Sequence, residues 1–422
     1  MIEHVPSLRR NFVWSFTGNA AFAASLWGIL IVLTKLGTAA DVGRYALASV
    51  VATPLLAFAN LQLRSVLIAD TAADHPFRDY LSVRLFMLPA ALAVLAAVAG
   101  LSYGRVQVAT ILIFGLARLI EGISDIFYGL AQKRERLDLV AISMTIKGAA
   151  SLLFFALLFW QTGQLTWALL ALPLGWAVPL FAFDIPRCRS LLQGLESLRP
   201  RWRPMAWRGI VWAALPLGLV TLLIQLRHTV PRALLEHAHG EAELGVFATL
   251  SYLVLVGNTV VMALSQSSIA RLSRARACGD ITAFHATVRK LVALGCAMGA
   301  AGVLVAVYWG KPVLTLLYSR EYAEYQNLFV LVMIAGGILY VGSLLGAPTT
   351  AMRAFRVQLW IHAANAGVLL VAGILLIPRL GMMGAGWTTL AGAVWVTAAY
   401  AAVVARGIGR MRAAGPLPGG AA

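Results

Sequence analysis

The sequence predicts an all-α integral membrane protein: about twelve transmembrane helices in two six-helix lobes with a central cavity. Three observations carry that prediction. The 422 residues are 60% hydrophobic and only 12% charged, whereas soluble domains are about half apolar and a quarter charged. Runs such as 85–103 and 357–377 contain no Asp, Glu, Lys or Arg, and about 18 such residues in a row are enough to cross a bilayer. Finally, segments of the first half recur in the second. "ADVGRYALAS" at 40–49 is similar to "AELGVFATLS" at 242–251, and "RNFVW" at 10–14 to "RGIVW" at 208–212.

In chain order the expected spans are 11–34, 43–69, 79–100, 106–130, 139–159 and 165–185, then 207–231, 243–269, 288–309, 323–347, 357–377 and 383–405. Arg9 and Arg10 precede an apolar stretch too long for a signal-peptide core, so that stretch is the first span. Short links such as "QTGQLT" at 161–166 and "RLGMMG" at 379–384 make tight hairpins. The expected organisation is an N-terminal six-helix lobe over 1–190, a cytoplasmic basic linker at 191–206, a C-terminal six-helix lobe over 207–410 and a disordered tail at 411–422. Six helices per half is an even number, so both halves enter the membrane in the same direction, as parallel repeats do.

The net charge of +17 could suggest nucleic acid, but its distribution points to membrane topology. With the N-terminus placed in the cytoplasm, 24 of the 34 Lys and Arg residues fall on the cytoplasmic side and 7 on the outer side, which is the positive-inside bias. Arg64 and Arg84 are counted with the inner set and Arg232 with the outer. Both termini are therefore expected in the cytoplasm. The three cysteines, Cys188, Cys278 and Cys296, have neither metal-site spacing nor the arrangement of a disulfide framework.

Arg118, Lys147 and Arg227 are the basic residues left inside spans. Arg118, Glu121 and Asp125 follow an i, i+3, i+7 pattern and share a helix face. A charge at mid-membrane costs roughly 2.5–3.5 kcal/mol on insertion scales, so this face must point into protein or water. "KRERL" at 133–137 is the turn of a hairpin, and Lys147 lies about as far beyond it as Glu121 and Asp125 lie before it. Lys147 is expected to pair with one of those acids. The three residues form either a static ion network or a titratable, ion-coupled site.

Asn11, Ser15 and Asn19 recur at i, i+4, i+8 and either line a cavity or bond neighbouring helices. Gln225, Arg227, His228 and Arg232 gather beside Pro231. These arginines either snorkel to the interface or form a station for an anionic headgroup. Arg64 reads as an inner-side residue and is also a candidate substrate contact. "HAHGE" at 237–241 lacks further ligands at metal-site spacing and reads as an exposed polar loop. No catalytic residue, metal or cofactor is expected.

Two regions resemble the polysaccharide-exporting flippases of the multidrug/oligosaccharidyl-lipid/polysaccharide (MOP) superfamily. "EGISDIFYGLAQKRERLDLVAISMTIKG" at 121–148 is similar to the family's fourth–fifth helix hairpin. "YSREYAEYQNLFVLV" at 318–332 and "LIPRLGMMGAGWTTL" at 376–390, with Gly381, Gly384, Ala385 and Gly386, are similar to its tenth to twelfth helices. The resemblance implies a multi-pass protein of the cytoplasmic (inner) membrane. It would flip a polyprenyl-diphosphate-linked oligosaccharide by alternating access about a central cavity, for O-antigen, capsule or exopolysaccharide synthesis. The implied partners are that lipid-linked substrate, membrane lipid, and polysaccharide polymerase and assembly proteins, with no nucleic acid. Arg118, Arg227, Arg232, Asn19 and Arg64 are the substrate-contact candidates on this reading; Glu121, Asp125 and Lys147 form the coupling or ion network. The alternatives are a multidrug cation antiporter of the same fold, or a membrane-embedded polysaccharide polymerase or ligase. A drug pump would favour an acidic or aromatic cavity, and a polymerase a large outer loop carrying the chemistry; this chain's outer and mid-depth positions lean basic, and its outer links are short.

Overall fold

A computed structural model describes residues 8–70, 75–192, 198–201 and 204–414. Most of the tail at 411–422, part of the basic linker at 191–206 and the side chain of Asn11 lie outside the described residues. Within them the chain is helical, with no strand. Eleven helical stretches are long and apolar enough to cross a membrane. The last of these covers 56 residues, about 84 Å of helix at 1.5 Å per residue against a hydrocarbon core of about 30 Å. It must therefore turn back, and it does so at Gly381 (φ 55°, ψ −133°). Trp395 bonds to Ile361 and Tyr400 to His362 across the turn, so the two arms run antiparallel. Among the described residues, ten single spans and one hairpin amount to twelve crossings.

The chain divides into two compact units, Met1–Gln225 and Leu226–Ala422. The division falls inside helix α10 (Pro204–His239). Unit 1 opens with α1 (Leu8–Leu36), which packs along α6 (Leu137–Thr162). Helix α2 (Ala39–Ala59) begins with a capping box: the Thr38 hydroxyl accepts the Asp41 N–H at 3.2 Å, and the Asp41 carboxylate accepts the Thr38 N–H at 3.0 Å. Asn60 ends it. Leu61 (φ 48°) and Gln62 (φ 51°) then adopt left-handed backbone before α3 (Leu63–Ala69) completes the same span. Such a conformation costs a non-glycine residue roughly 1–2 kcal/mol, and it makes this a discontinuous membrane helix.

Helices α4 (Phe77–Ser102) and α2 both pack on α5 (Arg105–Lys133). The sixth span is assembled from α7 (Leu165–Leu169), α8 (Ala171–Pro179), a π-helical turn at Leu180–Asp184 and α9 (Ile185–Leu191). Pro179 and Pro186 bracket that turn. Neither has an N–H for the carbonyl four residues back, and the Pro179 ring crowds the Gly175 carbonyl, which widens the helix locally.

Unit 2 contains α11 (Glu241–Ala277), α12 (Ile281–Leu317), a 3-10 turn at Arg320–Tyr325, α13 (Gln326–Ala351) and the hairpin α14 (Phe355–Ala414). Helix α13 is the hub and packs on α11, α12 and α14. A Cβ on Gly299 would lie 2.7 Å from the Gly337 Cα, so the backbones of α12 and α13 touch there. Close approach of this kind is how helices associate when lipid is as apolar as leucine. The recurring segments at 40–49 and 242–251 open α2 and α11.

Candidate functional site

The face of α5 read from spacing is present: Arg118, Glu121 and Asp125 are all half-buried. Their partners differ from expectation. Arg118 ion-pairs with Glu121 on its own helix. Asp125 accepts from Arg64 Nη1 through Oδ1 at 3.2 Å and from Arg84 Nη2 through Oδ2 at 3.1 Å. Arg84 also donates to the Asn60 side-chain oxygen at the end of α2, and Arg64 donates to Gln132 at 3.1 and 2.7 Å. One carboxylate thus holds α3, α4 and α5 together, just beside the break at Leu61–Gln62. Arg84 is fully buried, which an inner-loop charge would not be. A charge that deep is tolerable only when paired and hydrogen-bonded, which is what Asp125 and Asn60 supply.

Lys147 does not pair with Asp125 or Glu121. Its ammonium has no hydrogen-bond partner among the described residues and sits 5.0 Å from the centre of the Tyr128 ring. Equal distance from a hairpin turn sets depth but not the direction in which a side chain points. Ser143, Lys147 and Ser151, at i, i+4, i+8, form a stripe buried inside the unit. Asp184 of the π turn, a residue the sequence reading missed, is near enough to interact electrostatically with Lys147. Asp184 is buried, and its Oδ2 has no partner among the described residues. Tyr128 links the two arrangements: its hydroxyl bonds Ser143 at 2.8 Å, and its ring lies 5.9 Å from the Arg64 guanidinium. The signal for Asp184 was an acid inside the apolar run "VPLFAFDIP", with a proline on either side. Asn19 is exposed, and its amide donates back to the Ser15 carbonyl at 2.7 Å.

Unit 2 has the second cluster, on α10. Arg227 Nη2 lies 3.0 Å from His228 Nε2. Because arginine only donates, His228 Nε2 accepts there and its proton sits on Nδ1. Pro231 cannot donate to the Arg227 carbonyl. Across from α10, Arg227 interacts electrostatically with Tyr400 and His362 of α14, and Arg232 with Tyr252 of α11. His362 Nε2 and the Tyr400 hydroxyl are 3.1 Å apart. Neither arginine forms an ion pair among the described residues, and Arg227 Nε has no partner there either. Both side chains remain partly accessible. His239 of the "HAHGE" stretch is not in a free loop: it ends α10, with Nε2 3.0 Å from the Ile377 carbonyl and Nδ1 3.5 Å from Glu243.

No protein-family model matches the chain. A Staphylococcus aureus protein named capsular polysaccharide biosynthesis protein CapF is 30% identical over 383 residues, spanning 90% of this chain and 94% of its own. The chain belongs to the CapF family. Solved structures of transporters share this chain's fold. A MATE multidrug-resistance transporter in its inward-facing state superposes with a TM-score of 0.71 at 12% identity, covering 93% of this chain and 95% of that one. The lipid II flippase MurJ in an inward closed conformation superposes with a TM-score of 0.77 at 8% identity, covering 95% and 90%. This CapF-family chain is thus a multi-pass membrane protein whose fold is that of transporters and flippases.

Proposed function

We propose that the protein is a flippase, not an enzyme, that moves a polyprenyl-diphosphate-linked oligosaccharide across the cytoplasmic membrane by alternating access, for capsule, O-antigen or exopolysaccharide synthesis. The observation that carries this reading is the pair Arg227 and Arg232, held within the span Trp207–His239 with no acidic partner among the described residues. A cation within a membrane span normally has a counter-ion. One without a protein counter-ion is suited to receive an anion from outside, and a diphosphate is an anion that must cross roughly 30 Å of hydrocarbon. The guanidinium fork binds phosphate oxygens in pairs and stays charged at low dielectric. The CapF relationship supports a polysaccharide pathway, and the basic-residue bias supports cytoplasmic termini. Polysaccharide polymerase and assembly proteins are the implied partners.

A pump for cationic drugs is less well served, since Glu121 and Asp125 are each already bound to arginine. Arg118, Arg64 and Asn19 also have partners, so Arg227 and Arg232 are the leading substrate contacts. The test is complementation of surface glycan export in a deletion strain, with the membrane abundance of every variant measured. Arg227→Ala combined with Arg232→Ala should abolish export at normal abundance. Normal export by that variant would overturn the assignment.

A further inference from the structure

The cluster of Arg227 and Arg232 is rich in donors and poor in acceptors. Each guanidinium carries five N–H groups and accepts nothing. The one side-chain acceptor that the described residues give either of them is His228 Nε2, 3.0 Å from Arg227 Nη2. Arg227 Nε has no partner there. Successive residues of a helix are turned by about 100°, so around α10 His228 stands about 100° from Arg227, and Arg232 about 140° from it. The imidazole therefore lies between the two arginines, near enough to interact electrostatically with both. All three side chains are partly accessible.

A neutral imidazole has one lone pair and one N–H, and an imidazolium has only donors. His228 accepts from Arg227, so here its ring is neutral. A second proton on it would break that bond and set a third positive charge beside two guanidiniums. The other titratable groups near the two arginines are Tyr252 of α11 and His362 and Tyr400 of α14, none of them a carboxylate. Glu236, one turn beyond Arg232 on α10, interacts with Glu241 and His237 instead. What keeps His228 unprotonated is therefore the pair of arginines and nothing else among the described residues.

We infer that His228 is a third ligand of the substrate's diphosphate and that it binds by taking up a proton, an assignment that rests on the flippase reading above. A diphosphate changes both conditions that hold the ring neutral. Its oxygens compete with Nε2 for the Arg227 donors, and its negative charge offsets the two guanidiniums. The released Nε2 lone pair takes a proton from water, leaving hydroxide to the solvent, and the new N–H donates to a phosphate oxygen. The same nitrogen thus accepts from Arg227 before the anion binds and donates to the anion afterwards. Arginines alone would hold a diphosphate equally well across the physiological pH range, because they stay charged throughout it. With His228 between them, capture of the substrate is linked to a proton and strengthens as pH falls.

The test is calorimetric titration of the full chain in nanodiscs with geranyl diphosphate glucose. This soluble diester keeps its charge between about pH 5 and 8, the range in which histidine changes its own. Titration in buffers of different ionisation enthalpy counts the protons taken up. The wild type should take up protons on binding, and its affinity should rise about tenfold from about pH 8 to pH 6. His228→Gln keeps an acceptor for Arg227 near the Nε2 position but cannot titrate. It should bind about equally well at both pH values and take up no proton. His362→Gln, which removes the other histidine near Arg227, should behave as wild type does. Thermal melting confirms that each variant folds. Proton uptake that survives in His228→Gln, or that is lost in His362→Gln instead, would overturn the role of His228, as would wild-type binding without proton uptake. No binding of the diester by wild type at any pH would instead overturn the arginine site on which His228 depends, and so the two failures can be told apart.

Discussion

Unit 1 and unit 2 both place arginine within membrane-spanning helices, and they treat it in opposite ways. In unit 1 a single carboxylate, Asp125, accepts from Arg64 and Arg84, while Asn60 accepts a further bond from Arg84 and Gln132 from Arg64. In unit 2 Arg227 bonds His228, and His362, Tyr400 and, for Arg232, Tyr252 are near enough to interact electrostatically; none of them carries the negative charge that would neutralise an arginine. A compensated cluster ties helices together and has little left to offer a ligand. An uncompensated one raises the cost of folding and keeps its charge available. The comparison separates a structural network from a binding site more sharply than burial does, because both sets lie inside membrane spans.

The strongest challenge to this contrast is functional. Arg227→Ala should reduce glycan export to background while leaving the melting temperature of the purified protein unchanged or higher, since it removes a charge with no counter-ion. Arg227→Lys should rescue export only in part, because an ammonium lacks the planar fork. In unit 1 the expectation reverses. Asp125→Ala leaves two guanidinium groups without their acid, and breaking a buried pair costs about 3–5 kcal/mol. Its melting temperature and membrane abundance should fall steeply. The paired apolar replacement Arg84→Met with Asp125→Leu should recover much of that loss; if it melts as low as Asp125→Ala, the network does more than compensate charge.

Lys147 and Asp184 lie between the two cases, with electrostatic attraction but no direct hydrogen bond. A double-mutant cycle of Lys147→Met and Asp184→Asn, read by detergent melting, should give a coupling energy of about 0.5–3 kcal/mol, the range for residues in contact. Zero coupling would mean that the two residues act separately. The smallest effect belongs to Arg410→Ala. This exposed residue lies near the end of α14, and its replacement should stay within about 0.5 kcal/mol. A larger loss there would mean that surface charge, not pairing, dominates stability.

The membrane class, the span positions and the face shared by Arg118, Glu121 and Asp125 were legible because hydrophobic runs and helical periodicity are local properties of a chain. The break at Leu61–Gln62 was not legible, since neither residue favours the left-handed backbone that both adopt. Arg84 illustrates a related difficulty. Near a helix end it looks like an inner-side charge, and only the arrival of Asp125 and Asn60 from other helices makes it a core residue.

By itself, then, the sequence determined that this chain crosses the membrane about twelve times, that its charges are few, and how far along its span each one lies. Position along a helix follows from counting residues at 1.5 Å apiece. The tertiary structure alone decided which charges meet. It passed over the expected Lys147–Asp125 pair, placed Lys147 against Tyr128 and Asp184, and left Arg227 and Arg232 without acids among the described residues. The physical reason is that a partner depends on azimuth as well as height, and azimuth is set by how whole helices pack against one another.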